Sequence, residues 1–134
     1  MSIVIDNYLK EIKMPERKKK IIQGLVSDGL TTAYHSYKLL DEEKVDLGLI
    51  YLTQANTFIT AAKTLYYEYE YLFPEAELQF IFSAFGNYNN LVLTYIRTKK
   101  DMMDQVSKAY KQLFHEYTGI LNWINNDLAG DTDE

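Results

Sequence analysis

Residues 45–73 read VDLGLIYLTQANTFITAAKTLYYEYEYLF, and this stretch decides the fold. Its apolar positions Val45, Leu49, Leu52, Ala55, Ile59, Ala62, Tyr66, Tyr69 and Phe73 follow one another at steps of three or four residues. That period gathers them on one face of an α-helix, whereas in a strand it would scatter them over both faces. Within it, the run Tyr66, Tyr67, Glu68, Tyr69, Glu70, Tyr71 alternates as a strand does, and aromatic residues favour strands. The residues on both sides hold the helical frame, so the run reads as helix.

Neighbouring segments repeat the pattern. Asp41, Glu42 and Glu43 suit the first turn of a helix and place its start near residue 42, while Pro74 ends it. On the N-terminal side a stripe runs through Ile22, Leu25, Val26, Gly29, Ala33, Tyr37 and Leu40. Before it, Ile5, Tyr8, Leu9 and Ile12 form a short amphipathic face that Pro15 separates from the longer stripe, because the residue before a proline is pushed out of the helical region. Beyond Pro74 come Leu78, Phe82, Phe85, Tyr88, Val92 and Ile96, then Met103, Val106, Tyr110, Leu113, Tyr117, Ile120, Ile124 and Leu128. The last two stripes are nearly in phase. Arg97, Lys99 and Lys100 suit a helix C-terminus and Asp101 the next N-terminus, which places a turn near residues 97–101.

The expected fold is all-α: an antiparallel four-helix bundle with a short additional N-terminal helix. The expected helices span about 3–13, 15–40, 42–73, 74–98 and 101–128 in a single domain, with a disordered tail over 130–134. Composition agrees. A chain of 134 residues is one domain's length and can bury a core unaided by disulfides. Two prolines and six glycines are too few for a many-turned β sandwich or barrel. The absence of cysteine excludes disulfide scaffolds, cysteine-ligated metals and thiol catalysis.

The net charge of −5 disfavours nucleic acid as a partner. The basic run at residues 17–20 is short and sits in an acidic chain, so it reads as a solvated face or a contact for an acidic protein partner rather than a nucleic-acid or membrane site. No uncharged apolar run approaches the ~18 residues of a membrane span. The opening MSIVIDNYLK carries Asp6 within its short apolar stretch and no small-residue cleavage site, so a cytoplasmic location is expected.

Catalytic and metal motifs are sparse. A di-iron bundle needs Glu three residues before His, but Thr32 precedes His35 and Gln112 precedes His115 at that spacing. Glu42, Glu43 and Asp46 form a Glu-Glu-x-x-Asp run like the magnesium half-site of all-α nucleotide pyrophosphatases. The second Glu-x-x-Asp is missing: none of Glu68, Glu70, Glu75, Glu77 and Glu116 has an acid three residues on. No phosphate loop, nucleophile elbow or His-Glu-x-x-His motif occurs. No catalytic, cofactor-binding or metal-ligating residue is therefore assigned.

Twelve tyrosines among the aromatic residues are the unusual feature. Tyr34, Tyr37, Tyr66, Tyr69, Tyr88, Tyr110 and Tyr117 lie on or beside the stripes and read as core. Tyr51, Tyr67, Tyr71 and Tyr95 lie off the seams and are the candidate partner-binding residues, since tyrosine is enriched at protein interfaces.

Ser27-Asp28-Gly29-Leu30, then Leu52-Thr53-Gln54-Ala55 followed by Phe58-Ile59, then Tyr88 leading to Asp101, give an order of features that resembles the flagellar secretion chaperone family over residues 26–105. The sequence departs from that pattern at Val26-Ser27, at Gln54 and at Phe85-Gly86-Asn87-Tyr88. The resemblance implies a helical bundle that holds an amphipathic segment of an export substrate and keeps it from polymerising. The functional expectation is thus a non-catalytic protein-binding bundle whose partner is a helical segment of another protein, or a second copy in a homodimer. The alternatives are a metal-dependent nucleotide pyrophosphatase and a homo-oligomeric structural or phage-type protein.

Overall fold

The computed structural model describes residues 2–69 and 78–129, with side chains over 17–69 and 78–121. The described residues form four helices and no strand: α1 (Ser2–Asp41), α2 (Val45–Glu68), α3 (Leu78–Thr98) and α4 (Met103–Ala129). None is long and apolar enough to cross a membrane.

Two boundaries differ from those the sequence suggests. There is no separate N-terminal helix: α1 runs unbroken for 40 residues through Pro15. A proline inside a helix removes one backbone hydrogen bond and crowds the preceding turn, which strains the helix without compelling it to stop. Likewise α2 begins at Val45, because Glu42 and Glu43 belong to the end of α1. Glu43 adopts φ 62°, its N–H reaches the Leu40 carbonyl at 3.0 Å, and the Lys44 N–H reaches the Leu39 carbonyl at 2.8 Å. This pair of bonds closes a helix C-terminus with a residue in the left-handed region. The acids therefore sit in the turn, and Asp46 alone occupies the first turn of α2. At the other end, α3 stops at Thr98, Lys99 turns back with φ 55°, and α4 starts at Met103. Pro74, Tyr71 and the tail over 130–134 lie outside the described residues.

The stripes supply the core. α2 buries Gly48, Leu52, Ala55, Ile59, Ala62 and Tyr66, one face at steps of three and four. Opposite them on α1 lie Ile22, Val26, Gly29, Ala33 and Leu40, all buried. Small residues on both sides let these two helices approach closely. A methyl group built on Gly29 would lie 2.5 Å from Cδ1 of Ile59, and one on Gly48 would lie 2.9 Å from Cγ of Leu40. The Gly48 contact joins the end of α1 to the beginning of α2, and the Gly29 contact joins the two helices farther from the turn. Leu78, Ile81, Phe82, Phe85, Tyr88 and Val92 of α3 join Val106, Ala109 and Leu113 of α4 in the same core. Each helix packs on its two neighbours in the order α1, α2, α3, α4 and back to α1.

The glycines give a direct test of this packing. Gly29→Ala is expected to lower stability by ~1 kcal/mol although alanine is the better helix former. Overpacking a close contact costs ~1–3 kcal/mol, and the gain in propensity is only ~1 kcal/mol. At Gly24 and Gly86 a new methyl meets nothing within 4 Å, so alanine there is expected to stabilise by ~0.5–1 kcal/mol. Urea unfolding of the three variants reads both signs.

Candidate functional site

Tyr110, on the core-facing side of α4, gathers a cluster of rings from three helices. Its ring stacks on Tyr37 of α1, with centroids 4.4 Å apart and planes 7° from parallel. Tyr88 of α3 meets it edge-on at 5.9 Å, Tyr34 of α1 lies 6.3 Å away, and Phe114 of α4 lies 6.4 Å away. Offset and edge-on contacts of this kind add modest attraction to the area the rings bury.

Two of the tyrosine hydroxyls are hydrogen-bonded inside the cluster. Ser36 Oγ donates its single proton to the Ala33 carbonyl at 2.6 Å, so across the 2.8 Å contact the Tyr88 hydroxyl donates to Ser36. The Tyr37 hydroxyl donates to Ser107 Oγ at 2.9 Å. Burial pushes the Tyr110 phenol up to about 12, with Tyr34 and Tyr37 adding repulsion between phenolates. Burial raises Tyr88 further, and Tyr110 and Tyr37 add to the rise. Near neutrality both phenols stay protonated.

The cluster opens to solvent between α1 and α4. Leu30, Thr31 and Tyr34 on one wall and Tyr110, Phe114 and Tyr117 on the other line a cavity of about 160 Å³. Each set repeats at helical spacing, so the walls are parallel ridges with the cavity in the groove between them. Tyr34 is 45% exposed and Phe114 53% exposed, so the cavity is open at both walls.

The four tyrosines singled out from sequence are not brought together. Tyr51 is exposed on α2 with its ring 5.8 Å from His35. Tyr67 is exposed near the end of α2, edge-on to Tyr66 at 5.5 Å. Sixteen residues of helix separate Tyr51 from Tyr67, a rise of about 24 Å and a rotation of about 160°. Tyr95 is half-buried on α3 and borders a second cavity, of about 410 Å³, with Val45, Asp46, Ile96 and Lys99. Tyr71 lies outside the described residues.

Of the tyrosines read as core, Tyr66 and Tyr88 are buried, Tyr37, Tyr69, Tyr110 and Tyr117 are half-buried, and Tyr34 is exposed. Sequence reasoning thus missed Tyr34, Tyr110, Phe114 and Tyr117 as site residues. A signal was available in α4: Leu113 and Phe114 are adjacent, which widens the apolar stripe beyond one core-facing row.

Among the described residues the histidines and the Glu42–Asp46 acids are not brought together. His35 packs its ring against Tyr34 and Tyr51 on the surface, and His115 is exposed on α4. Glu42, Glu43 and Asp46 are exposed, and the turn at Glu43 takes them off a common helix face; Glu42 pairs with Lys44 at 3.5 Å. Among the described residues no group of three or more His, Asp or Glu is arranged to hold a metal ion. Compared with protein-family models, with curated proteins and with solved structures, the chain matches none.

Proposed function

We propose that the chain is a non-catalytic protein-binding domain, an antiparallel four-helix bundle whose groove between α1 and α4 holds an amphipathic helical segment of another protein. The observation that carries this reading is the open cavity lined by Leu30, Thr31, Tyr34, Tyr110, Phe114 and Tyr117. An amphipathic helix binds by laying its apolar face into such a groove, with bulky anchors at helical spacing. Tyrosine suits the walls because it offers a large rigid contact with a polar tip that tolerates water at the edge. The lining holds no carboxylate, imidazole or amine, and its half-buried phenol Tyr110 stays protonated near neutrality. That chemistry favours holding over proton transfer. In this role the bundle serves as a chaperone or adaptor that keeps the segment from associating with its own kind.

The contact falls on Tyr34, Tyr110 and Phe114 rather than on the dispersed Tyr51, Tyr67 and Tyr95. Affinity capture from the source organism, run in parallel with wild type, Phe114→Ala and Tyr67→Ala, tests it. A protein retained by wild type and Tyr67→Ala is expected to be lost with Phe114→Ala. An anchor at the centre of an interface contributes ~2 kcal/mol or more, about thirtyfold in affinity. Equal retention by all three would remove the groove from the binding surface.

A further inference from the structure

The outer face of α1 carries an exposed aliphatic side chain beside a helical glycine. Ile21 is 50% exposed, and a methyl group built on Gly24, one turn later, would meet nothing within 4 Å. A glycine in mid-helix costs ~1 kcal/mol relative to alanine. The close approach of α1 and α2 accounts for Gly29 and Gly48; among the described residues no contact accounts for Gly24. Gly86 and Gly119 also face open space, but no exposed aliphatic side chain stands one turn from either among the described residues.

Charge is placed symmetrically about Ile21 and Gly24. Arg17 stands four residues before Ile21 and Asp28 four residues after Gly24, and both are exposed. At 100° per residue the four positions share about 60° of arc, while the buried residues Ile22, Val26 and Ala33 lie about 100–140° around from Ile21.

This spacing is self-complementary. Positions 17 and 28 have the same midpoint as positions 21 and 24, between residues 22 and 23. A second α1 lying antiparallel, with a two-fold axis at that point, sets Arg17 of each copy against Asp28 of the other and Ile21 over the open Gly24. The basic run at residues 17–20 then faces residues 25–28 of the other copy, whose one charge is Asp28. A parallel pairing would instead bring Arg17 to Arg17 and Asp28 to Asp28.

We infer that two copies of this chain associate by antiparallel packing of α1 on α1 about that point. Gly24 lets the second backbone come close, Ile21 fills the space over it, and the Arg17–Asp28 pairs fix direction and register. Tyr34 lies about 140° around α1 from Ile21, so the α1/α4 groove stays open in the pair and the two surfaces work independently.

Sedimentation equilibrium of the full chain from about 1 µM to about 1 mM tests this. Wild type is expected to dimerise within that range. Gly24→Leu fills the space over the glycine and is expected to weaken the dimer at least about tenfold. In urea at the dilute end the same variant is expected to be no less stable than wild type, because leucine is the better helix former. Arg17→Asp and Asp28→Arg each bring like charges together at two places and are expected to weaken the dimer about tenfold, more in low salt than in high. Combining Arg17→Asp with Asp28→Arg restores opposite charges and is expected to return affinity to within about threefold of wild type. A wild type that stays monomeric throughout would overturn the inference, as would a dimer that Gly24→Leu leaves intact or charge reversals that the double variant does not rescue. A dimer dissociated by Phe114→Ala and not by Gly24→Leu would place the contact in the groove and overturn it as well.

Discussion

Replacing Tyr88 with alanine is expected to cost ~3–5 kcal/mol, the range for removing a large buried ring. That is a large part of the ~5–15 kcal/mol that holds a domain of this kind together. Tyr88 is wholly excluded from solvent and is the largest side chain in the core to be so. It lies where α3 meets α1 and α4, bonded to Ser36 and edge-on to Tyr110. Alanine there leaves a void walled by residues of all three helices, each fixed by its own packing. Tyr88→Phe keeps the ring and is expected to cost only ~1 kcal/mol, one hydrogen bond. Ser36→Ala strands the Tyr88 hydroxyl in the core and is expected to cost ~1–3 kcal/mol. Combining Ser36→Ala with Tyr88→Phe removes both partners, so the pair is expected to be milder than Ser36→Ala alone. Thermal and urea unfolding of the four variants would show it; a double variant as unstable as the sum of the singles would place the effect in packing rather than in the hydroxyls.

The second large effect is alkaline unfolding. Folding raises the Tyr110 phenol from its ordinary 10.0 to about 12 and raises Tyr88 beyond that, in both cases chiefly by burial. The unfolded chain therefore releases these protons at lower pH than the folded one. Their contribution to stability is complete below pH 10.0 and is lost as pH climbs through the folded-state values. By pH 12 a phenol that is still protonated only in the folded state costs roughly 3 kcal/mol of stability, which applies to Tyr88; the half-buried Tyr110 contributes less. Urea midpoints are expected to hold steady up to pH 10.0 and to fall steeply from there to 12. Tyr88→Phe should flatten that fall. An equally steep fall in the variant would place the titrating groups elsewhere.

The helices were legible because apolar spacing is a local property. Every step from Leu52 to Tyr66 is three or four residues, and those side chains are the buried face of α2. The ends were harder to read. Pro15 and the acids Glu42 and Glu43 each carry a local preference for a boundary, and each is outweighed by a neighbour: the continuing helix at Pro15, and the C-terminal closure of α1 at Glu43 and Lys44. The candidate site was legible only in part. Periodicity assigns Tyr34, Tyr110 and Tyr117 to the inward side of their helices, and it cannot say which pair of helices stands far enough apart to leave a groove. That depends on side-chain size at the facing contacts. Gly29, Ala33, Gly48 and Ala55 draw α1 against α2, whereas Tyr37 stacked on Tyr110 holds α1 away from α4.

That stacked pair also equips the molecule to report on itself. Two phenol rings lying parallel at 4.4 Å couple their electronic transitions, so circular dichroism in the near ultraviolet should carry a band that depends on their separation and mutual angle. Tyr110 belongs both to the pair and to the cavity wall. A molecule entering beside it should shift the band, and a rearrangement deep in the core at Tyr88 should reach the same ring by another route. Occupancy and integrity of the bundle could then be followed without a label, from a signal native to the chain.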